Sequence, residues 1–168
     1  MMSRFCFLAL ALALPLAAQS DTASTVAPLQ IFTRIATVDD TRLTGKTGPV
    51  DGLFLDIQNM SGKSVLGYTL AVTFLDPSTN TKLKGSGGHE RSSRRPMDNP
   101  LLPGQCDCSN PKPLVIPKTE SGALALVSAT LEFVVFEGGS SWGVAKTRAS
   151  QQALEYYTTI LAAAQKSK

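Results

Sequence analysis

Apolar and polar residues alternate with a period of two through much of the chain. Leu29, Ile31, Thr33, Ile35 and Thr37 share one parity, and Leu53, Leu55 and Ile57 alternate with Asp56 and Gln58. That period places one set of side chains on one face of a half-buried strand. The clearest run is Val65 to Leu75, with Leu66, Tyr68, Leu70, Val72 and Phe74 on one face and Thr69, Ala71 and Thr73 on the other. The turn formers of Asn59-Met60-Ser61-Gly62-Lys63 separate it from the preceding run, which predicts an antiparallel hairpin. A short strand is expected between Pro113 and Pro117, and a long β-rich run over Gly122 to Phe136, one bent strand or two. There Leu131, Phe133 and Val135 alternate with Glu132, Val134 and Phe136. A last short strand starts at Trp142, after the turn Gly138-Gly139-Ser140-Ser141.

Two stretches break this pattern. Residues 77–112 are punctuated by proline and glycine and carry Arg91, Arg94 and Arg95, which predicts a long loop region with at most a short edge strand near Thr81 to Lys84. Loops of that length are commonly functional or mobile. At the C-terminus, Leu154, Tyr157, Leu161 and Ala164 recur at steps of three and four. They mark one face of a helix over 150–166, with Ser150 as N-cap and Lys166 and Lys168 at the negative end of its dipole. A terminal amphipathic helix of this kind covers its own domain, packed outside the sheets. Strands separated by turns and followed by one helix predict a mainly β chain: an Ig-like antiparallel β-sandwich over 28–146 with one C-terminal α-helix. The Ig-domain disulfide and its packed Trp are missing, so the likeness is one of architecture.

The N-terminus has the build of a signal peptide over residues 1–20. Arg4 supplies the positive end, Phe5 to Leu16 the apolar run, and Ala18 and Ser20 the small residues before a cut. A cut after Ala18 is the alternative. The run is shorter than the roughly 20 apolar residues a bilayer-spanning helix needs. Residues 21–27 read as a flexible leader. The expectation is an exported protein, periplasmic or secreted, with no transmembrane anchor in the mature chain. Formal net charge is +3, and Arg4 leaves with the signal peptide. So balanced a chain does not point to nucleic acid. The expected partner is another exported protein or a cell-surface component.

Three groups of residues carry a resemblance: Asn59-Met60-Ser61-Gly62-Lys63 with Gly67-Tyr68, then Leu102-Pro103-Gly104, then Val134 to Gly143. In these the chain resembles small exported bacterial proteins of unknown function with an Ig-like or fibronectin-III-like β-sandwich. Gly138 stands where similar proteins carry an acidic residue. The resemblance implies compartment and fold, and carries over no reaction and no functional residue.

Candidate chemistry is sparse. Gly45-Lys46-Thr47 ends like a phosphate-binding loop, but Asp40 replaces the required glycine and Gly48-Pro49 follows in place of a helix. Lys46-Thr47-Gly48 matches the third motif of serine β-lactamases without an upstream nucleophile motif. His89 is the single histidine and falls in the loop region, where a general base lacks a fixed position. No catalytic residue is assigned. Arg91, Arg94 and Arg95 would form either a binding loop for an anion or a solvated basic loop. Trp142 would be either a surface aromatic for stacking or a rim packing residue. In a eukaryotic setting, Asn59-Met60-Ser61 would be a glycosylation acceptor.

The most informative oddity is Cys106-Asp107-Cys108, which holds the two cysteines left after Cys6 is removed with the signal peptide. In an extended segment, residues i and i+2 point the same way, so both sulfurs share a face. A disulfide between them is one reading, favoured by an oxidising compartment. A soft-metal site for Cu or Zn is the second, with His89 and Met97 as further ligands. Free or intermolecularly bridged thiols are the third. The function expected first is a non-enzymatic binding or interaction module with no cofactor. The alternative is a metal-handling or thiol-redox protein built on Cys106 and Cys108.

Overall fold

The computed structural model describes residues 26–39, 48–83, 89–108 and 113–166. The expected signal segment 1–20, most of the expected 21–27 leader and the motif 45–47 lie outside the described residues. The elements follow in the order β1 (Leu29–Val38), β2 (Val50–Asn59), β3 (Val65–Leu75), β4 (His89–Arg94), β5 (Cys106–Asp107), β6 (Leu114–Val115), β7 (Leu126–Phe136), β8 (Ser141–Gly143) and α1 (Arg148–Lys166).

The alternating runs pair as two antiparallel sheets. In the first, β1 lies against β2 in unbroken register from Leu29 opposite Asn59 to Val38 opposite Val50. β5 and β6 share the other side of β2. The second sheet has the order β4-β3-β7-β8. The hairpin expected between β2 and β3 does not form, because the Asn59–Lys63 turn carries the chain from one sheet to the other. Leu53, Leu55 and Ile57 of one sheet pack on Leu70, Val72 and Phe74 of the other, and this layer is the main core. The chain is therefore mainly β, with two antiparallel sheets and one C-terminal helix.

A second, smaller core lies under α1. Leu66, Phe133 and Val135 meet Tyr157 there, with Met97, Leu154 and Leu161 at the margin. One sheet thus serves two cores, and two β-bulges sort its residues between them. Val65 faces Phe136 and Gly67 faces Val135, which leaves Leu66 as the extra residue. Thr69 faces Phe133 and Leu70 faces Leu131, which leaves Glu132 extra. A bulge reverses strand parity beyond it. Leu66 therefore leaves the face it was expected to share with Tyr68 and Leu70, and Val65 enters the main core. Likewise Leu131 sides with Val134 and Phe136, while Phe133 and Val135 turn to the helix. Gly143 backs onto the second bulge with φ +80°, and a Cβ there would run into the Glu132 carbonyl.

The 77–112 region is corrected in part. It contains β4, antiparallel to β3 from Gly67 opposite Arg94 to Val72 opposite His89. Its sequence, HERSSR, shows no apolar alternation. An edge strand rich in charge is a common way of blunting a sheet edge, and it hides the strand from a hydrophobic pattern. Near Thr81, among the described residues, only Lys82 pairs, through an isolated bridge to Leu75.

The helix begins earlier than its expected cap. Thr147 is the N-cap: its Oγ1 accepts the Ser150 amide at 3.2 Å, and Ser150 Oγ accepts the Thr147 amide at 3.0 Å. This reciprocal pair satisfies two amides at the helix start. Ser150 is the third helical residue, fully buried. Ala153 and Tyr157 follow it on the buried face, and α1 packs on β3, β4 and β7. Among the described residues, no helix is long and apolar enough to cross a membrane.

Candidate functional site

Strand alternation splits the Cys106-Asp107-Cys108 segment between two surfaces. Asp107 lies opposite Ile57, a core residue, and Cys106 lies opposite Gln58. The carboxylate accordingly turns in between the sheets, and the sulfurs turn to the outer face of their sheet. Among the described residues, the helix packs on the other sheet and not on this face. Cys106 and Cys108 are joined as a disulfide with Cα atoms 5.3 Å apart, Cys106 half-buried and Cys108 exposed.

Asp107 ties the two sheets together. Tyr68 Oη, from β3, donates to its Oδ2 at 2.9 Å. Ser93 Oγ, from β4, donates to the same oxygen at 3.4 Å. Arg95 Nη2, just past β4, pairs with Oδ1 at 3.1 Å. Burial, and then the adjacent Asp107 carboxylate, push the Tyr68 phenol well above the ordinary tyrosine value. A cavity of about 100 Å³ lies beside this cluster, lined by Leu55, Ile57, Leu70, Ser92 and the Tyr68–Asp107 pair.

The loop that delivers Cys106 is itself anchored by Asn59. This side chain is 0% exposed. Its Nδ2 donates to the carbonyls of Lys63 and Leu101, both at 2.9 Å. Its Oδ1 accepts from the amide and the hydroxyl of Ser61 at 3.0 and 2.7 Å. Its backbone bonds Gly104 and Gln105. An amide with two donors and two acceptor sites is thereby saturated. In the folded protein this amide is buried and fully bonded, so the fold has no room for a glycan on Asn59.

The other expected site residues do not converge on the cysteines. Met97 packs in the core beneath α1, whereas the sulfurs sit on the outer face of the opposite sheet. His89 starts β4 four residues from Ser93, roughly 13 Å along a strand that rises about 3.3 Å per residue. Among the described residues, no group of three or more His, Cys, Asp and Glu is placed to hold a metal. The arginines do not form one loop. Arg91 lies within β4, opposite Leu70. Arg94 is exposed with its guanidinium 5.5 Å above the Tyr156 ring of α1. Arg95 turns to the opposite face, toward Asp107. Trp142, opposite Val134 on β8, packs against the main core as a half-buried rim residue.

Asp107, Tyr68 and Ser93 were missed as a set. Nothing in the sequence spacing singles out Asp107, and Tyr68 shares its strand face with Leu70, Val72 and Phe74. A phenol on an otherwise aliphatic strand face is the signal, because a buried hydroxyl needs a partner.

The side of the molecule away from β5 is built differently. β1 is the edge of its sheet, and among the described residues it pairs with β2 alone. It contacts β7, whose first half runs beyond the short β8. Ile35 lies opposite the buried Leu53 on the inward face of β1, yet is 53% exposed. Thr33 is exposed on that same face, and Val127, Ala129 and Leu131 in the first half of β7 are only partly covered. Phe32 on the outward face is 44% exposed. Arg34 is the single charged residue of the strand, and its guanidinium stacks 4.3 Å from the Phe54 ring.

No family model, curated protein or solved structure matches the chain.

Proposed function

We propose that the protein is a non-enzymatic binding module, an exported domain of Ig-like architecture that takes up an extended segment of another exported or cell-surface protein along β1. The observation that carries this is the exposure of Ile35, a residue on the inward face of a ten-residue edge strand. An edge strand presents unpaired backbone donors and acceptors that an added strand can satisfy. Side chains of that strand would fill the half-covered space between β1 and the first half of β7. The contrast with β4 supports the choice of edge, since β4 is polar throughout and β1 carries one charge. The signal-like N-terminus supports the compartment, and the lack of a nucleophile–base set in the sequence supports a non-enzymatic role.

A photoreactive residue at Phe32 tests the proposal, with the same residue at Ser92 on β4 as control, in cells that make the protein. Cross-links to a single partner from position 32 alone, abolished by Ile35→Lys, are expected. Equal labelling from both positions, or cross-links indifferent to Ile35→Lys, would reject β1 as the binding edge.

A further inference from the structure

We infer that the Cys106–Cys108 disulfide is a thiol-exchange site for a dithiol reductant, and that its reduction loosens the Asp107 tie between the two sheets. Neither part depends on strand capture at β1, which lies at the other edge of the same sheet.

Three observations carry the inference. The bond spans a sequence separation of two. So short a loop takes little conformational entropy from the unfolded chain, which removes the usual stabilising role of a disulfide. The bond also sits on the sheet face that α1 leaves uncovered, with Cys108 exposed to an incoming thiolate. Finally, it brackets Asp107. β5 holds its place by two ladder positions, Ile57 opposite Asp107 and Gln58 opposite Cys106. The ring fixes the backbone on both sides of the carboxylate that reaches Tyr68, Ser93 and Arg95.

The exchange balances as follows. One thiolate of the reductant attacks Cys108 Sγ, the Cys106–Cys108 bond breaks, and Cys106 leaves as a thiolate that takes a proton from the medium. The second thiolate of the reductant then attacks the reductant's own sulfur in the mixed disulfide. This closes the reductant's disulfide and expels Cys108, which takes a second proton. The protein gains two hydrogens, and the dithiol is oxidised by two electrons.

Coupling between the ring and the tie is reciprocal. If the disulfide favours the Asp107 contacts, those contacts favour the disulfide by the same factor. The purified protein in graded mixtures of reduced and oxidised dithiothreitol tests both parts. Intact mass reports reduction, circular dichroism reports the fold, and hydrogen exchange reports β4 and β5. Reduction with the β-sheet signal retained is expected, with amide exchange around Asp107 at least about tenfold faster. The double variant Cys106→Ser/Cys108→Ser should exchange at the same raised rate. Asp107→Asn should shift the reduction equilibrium toward the dithiol by about threefold to tenfold, where tenfold corresponds to about 1.4 kcal/mol. If Asp107→Asn does not fold, Tyr68→Phe serves for the same shift. A disulfide that survives until the protein unfolds would overturn the exchange site. Reduction with unchanged exchange, or an unmoved equilibrium in the Asp107 or Tyr68 variant, would overturn the coupling.

Discussion

Tyr68 donates its phenolic hydrogen to the Asp107 carboxylate at 2.9 Å, and that one bond passes from the second sheet to the first. It is part-buried, with Tyr68 in the main core.

A pH dependence follows. Burial and the Asp107 carboxylate raise the Tyr68 phenol above its ordinary value. A group whose folded value is raised gives stability that is complete below its unfolded value, about 10 for tyrosine, and lost as pH climbs through the folded value. The unfolding free energy should therefore decline as the pH is raised above about 10. Burial raises Tyr157 in the same direction, so Tyr68→Phe should flatten the decline without abolishing it. At neutral pH the variant should cost about 1.5–3 kcal/mol, the scale of a hydrogen bond to a charged acceptor. Urea melts across the alkaline range measure both, and an unchanged slope in Tyr68→Phe would contradict the assignment.

Gly67 and Tyr157 should behave as a coupled pair. A Cβ on Gly67 would stand 2.6 Å from Tyr157 Cε2 and 3.0 Å from the Ser93 carbonyl oxygen. Gly67→Ala must displace the ring, at a cost of about 1–3 kcal/mol for overpacking. The ring has little freedom to yield, because its hydroxyl donates to the Leu66 carbonyl and accepts the Arg95 amide at 2.8 Å. In a Tyr157→Ala background, Gly67→Ala should cost clearly less, with the close approach to the Ser93 carbonyl left over, and a double-mutant cycle reads the difference. Additive costs would show that the two do not touch.

Asn59→Ala should be among the most damaging substitutions outside the apolar cores, at about 2–4 kcal/mol, because it strands buried carbonyls. Asn59→Asp should be no milder, since a carboxylate cannot donate to Lys63 and Leu101. Chemical denaturation decides the magnitude. Folded protein recovered from a glycosylating host should carry no glycan at Asn59, as intact mass would show.

The fold was legible wherever one strand face met one core. Leu53, Leu55 and Ile57 point inward as their alternation says, and the helix buries the face marked by Leu154, Tyr157 and Leu161. Legibility failed at Leu66 and Glu132, where an extra residue reverses parity and the linear pattern runs on unchanged. It failed again at β4, whose position at an edge calls for charge in place of alternation. Of the site, the cysteine pair stood out by sequence spacing. Its partners did not, because Tyr68 and Arg95 reach Asp107 from the other sheet.

The identity of the helix cap can be tested with glycine. At an N-cap, glycine costs only a few tenths of a kcal/mol, whereas in a helix interior it costs about 1 kcal/mol relative to alanine. Thr147→Gly should therefore be mild. Ser150→Gly should cost about 1–2 kcal/mol, since it also removes the bond to the Thr147 amide. Thermal melts of the two variants check the order, and the reverse order would return the cap to Ser150.

The unequal edges also govern what kind of assembly this molecule can enter. Endless sheet growth requires two receptive borders per unit, one to join the unit before and one the unit after. Among the described residues, the long apolar border is β1, while β4 is polar and β5, β6 and β8 are two or three residues long. Polar and short borders both discourage further pairing. A strand laid on β1 thus uses up the receptive border as it binds, and the product is a finite complex in place of a growing fibre.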